Sequence, residues 1–244
     1  MANPTLSEKT FIKVAQEGTY TSPMTVQGTV NKIIIMGALV VVTAAVTWFT
    51  IATNFSLAMP AMIGSMITGL ILSIVLAFKN HLAPTLAPIY AIVEGVFVGS
   101  ITLVFEAMYP GIATSAVLLT FAVLAAMIGL YKAGVIKATP KFRRMIFAAT
   151  AGIAIFYMVS FVARMFGFQM PLIYNNGLFG IGFSLFVVGL AAFNLIIDLD
   201  NIEQGVEYGA PKYMEWYCAF SMIVTIVWLY IEVLRLLSKI SSRN

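Results

Sequence analysis

Cysteine and histidine are almost absent from this chain: Cys218 and His81 are the only ones in 244 residues. A single cysteine excludes an intramolecular disulfide framework and a cysteine-based zinc cluster. A single histidine excludes the HExxH metalloprotease helix and His-rich metal sites. Neither GxxxxGKS/T nor GxSxG occurs, so phosphate-loop and serine-hydrolase chemistry have no support. Charge is scarce as well. Charged residues make up 10% of the chain, where a soluble domain carries about 25%. A surface with so few charges cannot stay wet. Met1 to Lys32 lack the apolar core of a signal peptide. They read as an exposed cytoplasmic tail with a short amphipathic piece near Thr10–Val14. No cleavage is expected, and the first apolar span serves as the insertion signal.

What is abundant is apolar length. Hydrophobic residues reach 61% and mean hydropathy is +0.97. Seven runs each approach the ~20 residues that cross a bilayer. They are Ile33–Thr53, Leu57–Phe78, Leu86–Ala107, Ile112–Tyr131, Met145–Met165, Gly177–Ile197 and Trp216–Leu237. The connections are short and carry turn residues, as in Asn54-Phe55-Ser56, Tyr109-Pro110-Gly111 and Tyr174-Asn175-Asn176-Gly177. Lipid excludes irregular backbone, so the expected fold is an all-α, seven-transmembrane helical bundle. The expected organisation is a tail over 1–32, the membrane domain over 33–237 and a C-terminal tail over 238–244.

Lys and Arg counts in short loops set the orientation. Lys9, Lys13 and Lys32 lie in the tail, Lys79 in the second-to-third loop, and Lys132, Lys137, Lys141, Arg143 and Arg144 in the fourth-to-fifth loop. The loops on the other side, Asn54–Ser56, Met108–Gly111 and Gly167–Asn176, have neither residue. The N-terminus is therefore expected in the cytoplasm. Arg235, Lys239 and Arg243 oppose this, because seven crossings put the C-terminus outside. Either the last span stops short or the early spans override these charges; early helices usually dominate. The net charge of +4 reflects basic loops and is no nucleic-acid signal.

Glu94 is the only charge between Leu86 and Val104, LAPIYAIVEGVFVGSITLV. A carboxylate at that depth costs several kcal/mol unless paired, hydrated or protonated, and such residues mark ion or proton pathways. The plainer reading is a protonated Glu hydrogen-bonded to a neighbouring helix. Gly95 and Gly99 follow at helical spacing, Ser65 and Gly69 repeat it on the second span, and Gly177, Gly180 and Gly182 open the sixth. Small residues so placed let helix backbones approach.

Asn194 to Glu207, NLIIDLDNIEQGVE, holds four of the chain's ten carboxylates and no base. On a helix, Asn194, Asp198 and Asn201 form one polar stripe, and Asp200, Glu203 and Glu207 a second. Asp198 directly follows the apolar run, which places it at the cytoplasmic mouth. Carboxylates with Asn amides offer the oxygens that calcium prefers, making Asp198 and Asp200 candidate ligands. Protons compete for the same oxygens. An EF-hand loop is excluded, because the sixth and twelfth positions, Glu203 and Gly209, are wrong. Asp200, Glu203 and Glu207 otherwise read as a solvated acidic loop. On the fifth span Tyr157, Ser160 and Arg164 share a face, with Arg164 snorkelling. Glu232 and Arg235 are i, i+3 neighbours expected to pair locally. The tryptophans Trp48, Trp216 and Trp228 read as interfacial anchors or packing.

The motifs EGVFVGS at Glu94–Ser100, IIDLDNIE at Ile196–Glu203 and WLYIEVLRLL at Trp228–Leu237, with the seven spans, resemble the Bax inhibitor family, the transmembrane Bax-inhibitor-motif proteins. The likeness covers Ile33 to Leu237 and is to the bacterial branch. It implies six helices around a central seventh and a pH-sensitive calcium leak. It also implies a proton-sharing aspartate pair, one late in the sixth helix and one in the seventh. Asp198 matches the first. The second, counted back from Leu234-Arg235, falls near Thr225, and Ser221 to Ile231 contains no acid. Asp200, Glu94 or Glu215 are the residues that could substitute. An Arg that some members carry on the second helix is also absent, since Leu57 to Phe78 has no base.

Three functions follow as expectations. The first is a passive, pH-gated calcium leak of the bacterial inner membrane, with Glu94 as the in-membrane site and Asp198 as the mouth gate. Asn194, Asn201 and Asp200 support Asp198. The second is a proton-coupled transporter; no inverted repeat is visible between the halves. The third is a non-conducting regulator that binds another membrane protein, such as a protease or stress factor. An enzyme is not expected, because no nucleophile–base set is visible. No cofactor is expected beyond calcium as the permeant ion. For the orientation, Lys137→Cys in a Cys218→Ser background is expected to react with impermeant thiol reagents only from the cytoplasmic side. Labelling from outside intact cells contradicts it.

Overall fold

A computed structural model describes residues 22–167 and 177–243. The amphipathic piece expected at Thr10–Val14 and the turn at Tyr174–Asn176 lie outside the described residues. Seven long helices make up most of the rest: α1 (Val26–Thr53), α2 (Ala58–Phe78), α3 (Ala83–Met108), α4 (Ile112–Lys132), α5 (Pro140–Met165), α6 (Leu178–Glu207) and α7 (Met214–Ser241). Single 3-10 turns at Phe55–Leu57 and Asn80–Leu82 join α1 to α2 and α2 to α3. All seven helices are long and apolar enough to cross a bilayer. The chain is an integral membrane protein.

Several helices overrun their apolar runs at polar ends. α1 starts at Val26, not Ile33, because Thr25 caps it: its Oγ1 accepts from the Gly28 amide at 2.9 Å. α5 starts at Pro140, after Thr139, whose Oγ1 accepts from the Phe142 amide at 3.3 Å. Lys141, Arg143 and Arg144, expected in a loop, therefore lie on a helix. α6 continues to Glu207 and stops at Gly209, whose φ of +64° suits glycine. The acidic segment is helix and not loop. Hydropathy marks what lipid touches, whereas capping extends a helix into water.

The outer helices each bury one narrow stripe. On α1 it is Thr29, Met36, Val40, Thr47 and Ile51, and on α2 it is Ala58, Ser65, Gly69 and Leu76. Steps of four and seven keep a stripe on one face. Other apolar side chains, such as Phe49 and Phe78, are exposed, as a lipid-facing surface requires. In the most apolar window of α7 67% of residues are buried, against 56% in α6 and 11% in α1. α7 is thus the most enclosed helix.

The chain divides into two compact units. One contains α1, α2, α3, α6 from Asp198 onward and α7 up to Val224. In it α3 packs on α1 and α2, and Ile51, Ala58 and Leu103 form a cluster flanked by Trp48. The other contains α4, α5, α6 up to Ile197 and α7 from Thr225. There Ile146 and Ile153 of α5 meet Val187, Leu190 and Ile197 of α6, with Trp228 of α7 against them.

Gly95 and Gly99 face α1. A Cβ at Gly95 would lie 2.7 Å from both Thr43 Cβ and Val40 O, and one at Gly99 2.5 Å from Ala44 O. Overpacking of this kind costs about 1–3 kcal/mol. Gly95→Ala and Gly99→Ala are expected to lower the thermal midpoint in detergent. Gly64→Ala, with nothing within 4 Å, leaves it unchanged or raises it. Equal midpoints for all three contradict the close α1–α3 contact.

Candidate ion site on the third, sixth and seventh helices

The first stripe expected on α6 is only partly one site. Asp198 is 4% exposed and Asn201 1%. Ser221 of α7 donates its hydroxyl to Asp198 Oδ1 at 3.0 Å. Asn194, half-buried, is engaged elsewhere: its Nδ2 donates to Thr150 Oγ1 and to Leu190 O, each at 2.9 Å. On the second stripe Glu203 and Glu207 are exposed, as a solvated face would be. Asp200 is half-buried and accepts from Gln204 Nε2 at 2.8 Å. Asp198 and Asp200 stand two residues apart on a helix, which aims their side chains to different faces. Among the described residues, no three His, Cys, Asp or Glu side chains converge to hold a metal.

Glu94 is half-buried and faces α2, whereas its neighbours Gly95 and Gly99 face α1. A Cβ on Gly69 would come within 3.3 Å of Glu94 Oε2, so the small residue on α2 makes room for the carboxylate. Tyr90, one turn earlier on α3, lies within hydrogen-bonding reach of Glu94, and Ser73 of α2 reaches the same phenol. The Tyr90 ring meets Phe220 of α7 edge-on, with centroids 4.8 Å apart. Phe220 precedes Ser221, the residue that holds Asp198. Tyr90 therefore touches Glu94 at its hydroxyl and, at its ring, the helix turn that serves Asp198.

The chain matches the family described as Bax inhibitor 1 like over residues 3–242. It belongs to that family. No curated protein and no solved structure matches it. The Bax inhibitor resemblance puts the family's second aspartate near Thr225, where this chain has no acid. On α7, one turn before Thr225, the Ser221 hydroxyl donates to Asp198. In this Bax inhibitor 1 like chain the sixth-helix aspartate thus has a seventh-helix hydroxyl donor among its partners.

The unit of α4 and α5 holds a separate polar cluster. Glu232, 1% exposed, accepts from Arg235 Nη1 at 3.0 Å, as expected of the i, i+3 pair. Tyr157 of α5 also donates to Glu232 Oε1 at 3.0 Å, and the Arg235 guanidinium lies 4.9 Å from the Tyr157 ring centroid. Tyr157 thus serves Glu232, a partner that its own helix face did not reveal. Ser221, Tyr90 and Ser73 were likewise missed as site residues. Hydroxyls are common on membrane helices, and only the packing of two helices selects these.

The Asp198–Ser221 bond has a measurable signature. Ser221→Ala removes a donor from a buried carboxylate, at a cost of about 1–3 kcal/mol. In the Asp198→Asn background the same change is expected to cost less, giving a non-zero coupling in unfolding experiments. Zero coupling contradicts the bond.

Proposed function

We propose that the protein is a pH-sensitive passive cation leak, with calcium as the permeant ion. Its place is the bacterial inner membrane, with the N-terminus in the cytoplasm. The observation that carries this reading is Asp198, an ionisable group buried on α6 against Ser221 of the most enclosed helix. Membership of the Bax inhibitor 1 like family supports it. In the orientation read from the loops, Asp198 stands at the cytoplasmic mouth and Glu94 deeper in the bilayer. Two of the cations that oppose that orientation are held by the protein itself. Arg235 is paired with Glu232, and Lys239 Nζ donates to Gly180 O at 3.0 Å.

The chemistry suits brief occupancy. A hard cation needs several oxygens, and its affinity rises with the number of charged ligands. Asp198 supplies one carboxylate, with the Ser221 hydroxyl beside it. Conduction requires binding strong enough to enter and weak enough to leave. One carboxylate at a time fits passage better than storage. Protonation removes the charge that draws the cation, so flux falls as the medium is acidified. We assign no catalytic residue. Asn194 bonds Thr150, and Asp200 bonds Gln204.

Calcium flux in proteoliposomes across a pH series tests the roles. A carboxylate in the membrane interior is worth several kcal/mol, so Glu94→Gln is expected to cut flux roughly ten-fold or more and to flatten its pH dependence. Asp198→Asn shifts the pH midpoint. Wild-type curves for both variants remove these residues from the mechanism.

A further inference from the structure

The residues just before α1 are stitched to the turn between α6 and α7. Pro23 and Pro211 form an antiparallel bridge. The Met24 amide donates to Ala210 O at 2.7 Å, and the Lys212 amide to Ser22 O at 3.2 Å. Met24 is 1% exposed. This junction ends on Glu215, in the first turn of α7 and 1% exposed. Its Oε1 accepts from the Thr25 amide and the Thr25 hydroxyl, each at 3.1 Å. Its Oε2 meets Lys32 Nζ at 2.7 Å.

The carboxylate of α7 therefore sits on the N-terminal turn of α1, where the helix dipole and unpaired amides favour an anion. Thr25 Oγ1 serves both helices, accepting from Gly28 N while donating to Glu215. Gly28 is required for this. A Cβ there would collide with the Glu215 carboxylate. Along α7, Ser221 follows Glu215 by six residues, about 9 Å of rise, and Ser221 holds Asp198. Cys218 lies between them on the helix, 1% exposed and within electrostatic range of both carboxylates. A shift in the first turn of α7 must move Ser221 against Asp198.

We propose that Glu215, held by Thr25, Gly28 and Lys32, is a positioning latch: it sets the first turns of α7 and, through Ser221, keeps the Asp198 site closed to the aqueous side. The consequence for ion flow rests on the leak reading. The latch itself does not. Removing one partner of a buried ion pair is strongly destabilising, so loss of the Lys32 or Gly28 contribution frees Glu215 to leave the α1 terminus.

The chain's sole thiol reports the latch directly. In full-length protein reconstituted in liposomes, N-ethylmaleimide should reach Cys218 slowly in the wild type. In Gly28→Ala and Lys32→Met it should react roughly ten-fold faster or more, and Lys32→Arg should restore the slow rate. Loss of a staple that only adds stability would lower the unfolding temperature and leave these rates alone. Gly28→Ala decides if its thermal midpoint shows it folded; otherwise Lys32→Met, which alters a partly exposed side chain, decides. A wild-type rate in the deciding variant overturns the latch. Calcium leak in the same vesicles should rise by a similar factor, and faster labelling with unchanged leak overturns the hold on Asp198. If wild-type vesicles carry no calcium, the leak reading fails, while the Cys218 rates still decide whether the latch exists.

Discussion

A polar group inside a bilayer must find a partner within the protein, and this requirement fixes α7. Its apolar residues alone could present several faces. Its polar residues cannot. Glu215 is held by Thr25 and Lys32 of the α1 region, Ser221 by Asp198 of α6, Glu232 by Tyr157 of α5, and Lys239 by Gly180 of α6. Each bond replaces water that the bilayer does not supply, and an unmet group costs several kcal/mol. Together they set the rotation and depth of the helix on which the candidate site depends.

The same constraint explains the contrast between helices. α1 and α2 need one stripe of small or apolar residues, because lipid satisfies their remaining surface. α3 does two jobs on adjacent positions. Gly95 and Gly99 admit α1 closely, while Glu94, about 100° around the helix from Gly95, meets α2 at Gly69. A carboxylate next to a small-residue pair thus need not share its interface.

Most of the fold was legible in the sequence. Seven apolar runs give seven helices, because length and hydropathy decide membrane crossing. Helix ends were less legible, since Thr25 and Thr139 extend helices into polar sequence that hydropathy reads as tail or loop. The polar stripe of α6 was visible from its spacing alone, including the exposed side at Glu203 and Glu207. Its partners were not. That Ser221 meets Asp198 depends on the register between two helices, which a count along one helix does not fix. Glu215 read as an end charge or a substitute acid, and its partners were hidden because Thr25 and Lys32 are nearly the whole chain away in sequence.

On the proposed reading the protein is a path for ions and not a partner for another protein. Calcium uptake by vesicles that contain the purified protein alone tests this most directly. The expected result is uptake above that of protein-free vesicles, driven by the calcium gradient, with no requirement for a co-substrate or proton gradient. Uptake equal to that of empty vesicles, or uptake only when a proton gradient is imposed, contradicts it.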